Sequence, residues 1–179
     1  MRLKEFNKEV FYVGEDIAKI SIADIDVLKH KALGNDRQRV RLCFHKDMND
    51  IIHEMLIIHT KDTYVRPHKH LHKSESLHVV EGSADVIIFD ERGNIVQVIP
   101  VGECSSGRKF YYRMAGADYH TLIIHSDFLV FYETTKGPFS RLDTLFAPWS
   151  PEENDRKGCR EYRQKLTEQI LLNFSSENV

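Results

Sequence analysis

The sequence is short of several things, and each shortage excludes a class of protein. It has no long apolar run; stretches such as Phe128–Tyr132 are far too brief to span a bilayer. The first ten residues, MRLKEFNKEV, carry charge and lack the apolar core of a secretory signal. Cysteine is scarce: Cys43, Cys104 and Cys159 are odd in number and form no CxxC pair. They read as reduced thiols of a cytoplasmic protein. Neither charge is in excess, since the formal net charge is -2, and no arm is strongly basic. That argues against nucleic acid as a main partner. No repeat or low-complexity tract interrupts the chain. Its 179 residues suit one domain, residues 1–179, with a sizeable core.

Histidine is what the sequence has in concentration. Four of the ten histidines fall between His68 and His78, inside the stretch HKHLHKSESLHVVEG. His68 and His70 are two residues apart, so on a strand they share a face. Glu75 returns a carboxylate to that face, and Gly82 sits where a turn would reverse the chain between two apolar strands. Imidazole nitrogen suits Fe, Ni, Cu and Zn, and a carboxylate widens the choice to Mn. A surface loop rich in histidine would explain the imidazoles but not Glu75 and Gly82 at their offsets. His72, inside the motif, reads as a solvated loop residue.

The flanking segments supply strands and two helices. A short strand is possible at Val10–Val13. Ser21 with Asp24 three residues on looks like a capping box, Ile22, Ile25, Leu28 and Ala32 form a helical stripe, and Gly34 is a natural stop. A helix is expected over about 22–33, packed on the sheets. Arg39 to His45 alternates strictly, with Val40, Leu42 and Phe44 on the apolar face; Arg39 and Arg41 could bind an anion, with plain surface arginines the blander reading. The next strand, Ile51 to Thr60, embeds His53 and Glu54, which must face opposite ways. Tyr64 to His70 reads as a strand entering the motif. Ser76–Val80 and Ala84–Phe89 form a hairpin around Gly82, and further strands fall at 95–101, 110–113, 121–125 and 128–135. Ser150, Pro151 and Glu153 read as a second capping box, with Gly158 breaking that turn. A C-terminal helix over about 159–174 then carries Tyr162, Leu166, Ile170 and Phe174 every four residues.

The spacing HxHx4Ex6G resembles the first motif of the cupins, small β-barrel metalloproteins. The leading Gly of that motif falls here at Asp62. The second cupin motif, PxGxxH, is matched only by His120, with Ala115 and Ala117 where Pro and Gly are usual. The combination YVRPHKH, SESLHVVEG, VIIFDERGNI, YHTL, KGPF and FAPWSPEE looks like the WbuC family of cupin-fold metalloproteins over roughly residues 20–155. The resemblance implies a mainly β protein, a double-stranded β-helix or jelly-roll barrel with its core at about 37–136 and a helix on either flank. It implies one divalent metal ion (Fe, Mn, Ni or Zn) on His68, His70, Glu75 and His120. It also implies a setting among bacterial genes for surface polysaccharides such as O-antigen, hence a sugar or nucleotide-sugar ligand.

Such a ligand set leaves one or two positions open on an octahedral ion, the mark of a catalytic site. The ion could polarise a sugar carbonyl or hydroxyl, as an isomerase or epimerase needs. Fe(II) could instead serve a dioxygenase, and a non-catalytic sugar-binding or metabolite-binding cupin is the third reading. Candidates for general acid or base are His53, Glu54 and Arg66. The barrel mouth is expected to be lined by His45, His53 or Glu54, Tyr64 and Arg66, with Arg66 either on a ligand anion or paired with Glu54 or Asp62. A homodimer is expected, because cupins commonly associate and open sheets have edges to cover.

Overall fold

The computed structural model describes residues 2–174. Its strands are β1 (Leu3–Glu5), β2 (Val10–Val13), β3 (Arg39–Cys43), β4 (Ile52–Thr60), β5 (His68–His70), β6 (Glu75–Glu81), β7 (Ser83–Phe89), β8 (Ile95–Gly102), β9 (Tyr111–Met114), β10 (Tyr119–Ile124), β11 (Phe128–Lys136) and β12 (Thr144–Phe146). Two helices flank them, α1 (Ile22–Leu33) and α2 (Arg156–Phe174). One sheet has the order β1-β2-β3-β4-β11-β6-β9 and the other β12-β5-β10-β7-β8. All neighbours are antiparallel except β2 and β3. The sheets therefore reach beyond 37–136 at both ends of the chain, through β1, β2 and β12.

Alternation decides which side chains enter the space between the sheets. Met55, Ile57, Leu77, Val79 and Phe131 from the first sheet meet Ala84, Val86, Val101, Leu122 and Ile124 from the second. Each fully buried aliphatic or aromatic side chain there contributes about 1.5–3 kcal/mol. The opposite face of the first sheet, with Val40, Leu42, Leu56, Ile58 and Val130, is covered by Ile25, Leu28 and Ala32 of α1. The apolar face of β3 thus packs under the helix, and Arg41 and Cys43 alternate with it toward the interior. The second sheet turns Ile87, Phe89, Tyr119 and Ile123 onto Leu166 and Ile170 of α2.

The helix boundaries follow from their caps. The Ser21 side chain accepts from the Asp24 N–H, Asp24 caps Ser21 in return, and the Gly34 N–H closes on the Ala32 and His30 carbonyls. The second capping box does not form. Ser150 donates to the Ala147 carbonyl at 2.8 Å instead, and α2 begins at Arg156. Asp155 is its cap, accepting from the Gly158 N–H at 2.9 Å, so Gly158 lies inside the first turn rather than breaking it. The strand expected over Tyr64 to His70 is confined to β5, with Pro67 before it.

The FAPWSPEE segment is a strap across the outside of the second sheet. The Ala147 N–H donates to the Pro67 carbonyl at 2.9 Å, and the Tyr64 hydroxyl donates to the Pro151 carbonyl at 3.0 Å. Trp149 packs its ring on Phe89, Tyr119 and Tyr162. Glu153 pairs with Arg37 and Arg39.

Gly82 joins β6 to β7 at φ 86°, and a Cβ there would overlap the Phe128 carbonyl oxygen and Ser126 Oγ. Gly82→Ala is expected to destabilise the fold by more than about 1 kcal/mol. A lowered urea midpoint at unchanged slope would show it.

Candidate metal centre

The centre is assembled from both sheets. β5 carries His68 and His70, and β10 carries His120, which is register-paired with His68. Glu75 opens β6 on the facing sheet. The short loop between β5 and β6 brings the carboxylate over the imidazoles. Glu75 lies 3.0 Å from His120 Nε2 and 3.2 Å from His70 Nε2. One ligand atom from each of the three histidines lies within 4.8 Å of the others. The structure thus brings together all four residues of the expected ligand set.

The far side of the His68 and His120 rings sets their tautomers. Nδ1 of His68 faces the Arg66 carbonyl at 2.8 Å, and Nδ1 of His120 faces the Asp118 carbonyl at 3.0 Å. Carbonyls only accept, so those nitrogens carry the protons and the Nε2 lone pairs point inward. His70 Nδ1 lies 3.1 Å from the Thr144 hydroxyl on β12. Such outer partners orient ligands and raise their basicity. Two inward Nε2 lone pairs, the His70 Nε2 and a carboxylate converge on one place, an arrangement that suits a cation. This donor set fits a divalent metal ion, and the three histidines could hold one.

The protonation pattern tells the same story. Burial disfavours the ionised Glu75, but His120, with help from His70 and His68, holds its carboxyl well below the usual range. Burial pushes His120 down, and Glu75 more than offsets it, so the ring is raised overall. His68 is driven down to about 3, first by burial and then by His120. A proton on His120 and a divalent cation compete for the same lone pairs.

The remaining site candidates separate. His53 faces inward beside Thr135, in the cross-strand row that also holds Glu75. It is buried, its ring stacks on His45 with centroids 4.1 Å apart, and its Nε2 has no hydrogen-bond partner. Gly137 of the KGPF segment lies over it, so close that a Cβ would overlap the ring. Glu54 faces the other way. It is exposed and accepts from the Tyr132 hydroxyl at 2.9 Å, outside the barrel, so it takes no part in the centre. The Arg66 guanidinium lies over the Phe146 ring at 4.9 Å and donates to Ser150 at 3.3 Å. It pairs with neither Glu54 nor Asp62; its link to the centre is its carbonyl on His68. Tyr64 is likewise held by the strap. His72 is exposed.

Three inward-facing groups were not among the site candidates. The Tyr112 hydroxyl lies 3.5 Å from Glu75. Glu133 on β11 stands opposite Leu77 and Met55, both core residues, and so faces the interior. Burial and then Glu75 push its carboxyl up to about 7, with Arg41 opposing. The signal for Glu133 was a carboxylate on the period of Leu129 and Phe131 in an apolar strand. Arg41 reads from the sequence as an anion binder or a surface arginine, since alternation alone does not say which face of β3 is interior when both are covered.

Comparison with known proteins bears on the fold. A family model described as a domain of unknown function (DUF6016) matches residues 20–101, just under half of the chain. No curated protein matches the sequence. Among solved structures, CapF with the inhibitor 3-isopropenyl-tropolone is 18% identical with a TM-score of 0.50, over 63% of this chain and 32% of that one. A Shewanella oneidensis protein is 10% identical with a TM-score of 0.49, over 69% and 77%. A variant of Bacillus subtilis oxalate decarboxylase is 21% identical with a TM-score of 0.44, over 54% and 24%. The chain spans about a third of CapF and a quarter of the decarboxylase. At these identities the likeness is one of fold. The fold is the cupin double-stranded β-helix, mainly β, with α1 and α2 on its flanks. No described helix is long and apolar enough to cross a membrane.

Beyond the centre, His59 is buried with its ring edge-on to Phe131 at 5.4 Å. Burial, followed by Arg41 and Arg37, lowers it from 6.5 to about 3. The unfolded chain therefore takes up this proton first. The stabilising effect is complete above about pH 6.5 and is lost as pH falls toward 3, on the order of 1 kcal/mol per pH unit. In chelator-treated protein, His59→Phe is expected to flatten the fall of the urea midpoint across that window. An unchanged slope would show that His59 is not buried neutral.

Proposed function

We propose that this chain is a metal-binding cupin that acts on a sugar or nucleotide-sugar in bacterial surface-polysaccharide biosynthesis, as its resemblance to the WbuC family implies. One observation carries the metal part of this reading: one ligand atom from each of three imidazoles lies within 4.8 Å of the others, with the Glu75 carboxylate against His70 and His120. His68, His70, Glu75 and His120 would hold one divalent ion. When bound, that ion would supply Lewis-acid polarisation of a ligand oxygen.

The chain's own residues do the rest. The Arg66 and Asp118 carbonyls and the Thr144 hydroxyl keep the three rings aimed. Tyr112 donates toward Glu75 and holds its carboxylate in place. The buried His53, with a free Nε2 in the Glu75 row, is the group to hold or move a proton on the ligand. Leu77, Val79 and Phe131 wall the interior and exclude bulk water, which strengthens each polar contact within it.

Elemental analysis of untreated protein tests the centre, and a nucleotide-sugar panel followed by thermal shift tests the ligand. His70→Ala is expected to abolish the bound metal; full occupancy in that variant would sink the ligand assignment. Thr144→Val keeps all four ligands and frees one ring. It is expected to weaken metal affinity by about 10–100-fold in a chelator competition. Iron as the sole metal, with oxygen uptake on a non-sugar compound, would replace the sugar reading by a dioxygenase.

A further inference from the structure

Two ionisable side chains, Arg41 and Glu133, point into the barrel, each partly exposed. Arg41 stands on β3 opposite Ile57, and Glu133 on β11 is flanked by Leu77 and Met55, so both belong to the interior face. Among the described residues neither the Arg41 guanidinium nor the Glu133 carboxyl makes a hydrogen bond or an ion pair. They are near enough to act on each other electrostatically, and Glu133 also feels Glu75, His120 and Lys73. Glu133 and Glu75 are diagonal neighbours on adjacent strands, so their Cα atoms are about 7–8 Å apart. Arg39, two residues away, is different: it is committed to Glu9 and Glu153.

A structural role would have matched the two into a salt bridge that keeps Glu133 ionised, whereas its carboxyl is pushed up to about 7. An unpaired guanidinium and a carboxyl on one wall, the carboxyl beside the metal-ligand set, suit a molecule that carries its own anionic group and its own hydroxyls. Arginine's planar fork takes a carboxylate or phosphate with two parallel hydrogen bonds, and a carboxylate accepts from a hydroxyl.

We propose that Arg41 and Glu133 form a second anchor for the ligand, an acidic-sugar subsite in which Arg41 takes a carboxylate or phosphate and Glu133 takes a hydroxyl. The sugar part rests on the function proposed above; the anion part does not. It makes the favoured substrate a sugar acid or sugar phosphate rather than a neutral sugar.

Calorimetric titration of metal-replete protein tests this, with glucuronate, glucose 1-phosphate, glucose and the sugar-free dianion malonate as probes. Wild type is expected to bind one of the two anionic sugars at least about tenfold tighter than glucose, a difference of about 1.4 kcal/mol. Arg41→Gln should erase that preference at an unchanged melting temperature, and Arg41→Lys should restore only part of it. Glu133→Gln should weaken every sugar, glucose included, and leave malonate unaffected. A preference for anions that survives in Arg41→Gln would overturn the proposal. So would a failure of every anionic probe to bind better than glucose, or a loss of folding in both Arg41 variants, which would make the residue structural. Malonate bound through Arg41 with no sugar bound at all would uphold the anion subsite and end the sugar reading.

Discussion

Lone pairs aimed at one another are the constraint on which the rest of this fold depends. Three imidazole nitrogens and a carboxylate meet between the two sheets, and the inward lone pairs of His68 and His120 leave the cluster short of donors. The proton shared between His120 and Glu75 is the smallest positive charge that answers this. A divalent ion is the larger one, and it serves all four groups at once. Nothing in the apolar interior could compensate an acceptor cluster of this kind if the cation were denied to it.

Because the imidazoles come from one sheet and the carboxylate from the other, the centre is only as well defined as the packing between them. That explains the covering of both outer faces. Leu28 and Ala32 of α1 seal the first sheet, and Leu166 and Ile170 of α2 seal the second. A loss of either helix would loosen the distance between Glu75 and the histidines before it touched a ligand. Interiors packed to crystal-like density transmit small shifts rather than absorbing them.

Much of this was legible in the residues. The α1 boundaries could be read from Ser21, Asp24 and Gly34 because capping is local chemistry, settled within four residues. The hairpin at Gly82 and the pairing of His68 with His70 were equally local. What could not be read were questions of facing. His53 and Glu54 are adjacent, and only the register of β4 with β11 decides that His53 enters the barrel. Arg41 looked like a surface residue because the apolar side of β3 was assumed to be the interior, whereas that side belongs to α1. Ser150 matched a cap motif, but its hydroxyl was taken by the Ala147 carbonyl and by Arg66, contacts that exist only after the strap has docked.

The contact between His70 and Thr144 has a consequence for the order of assembly. All four ligand side chains are present in a nascent chain that ends at His120, and so are most of the strands that carry them. The hydroxyl that steadies His70 is that of Thr144, 74 residues beyond His70, in a strand that pairs only with β5. It is a contact of very high sequence separation in a fold already rich in them, the kind whose loop entropy is repaid last. Once β11 has joined β4 to β6, the barrel can therefore close around a ligand set that is complete in composition but still free to turn at one ring. Maturation of the centre waits for the C-terminal third of the chain, although that part contributes no ligand.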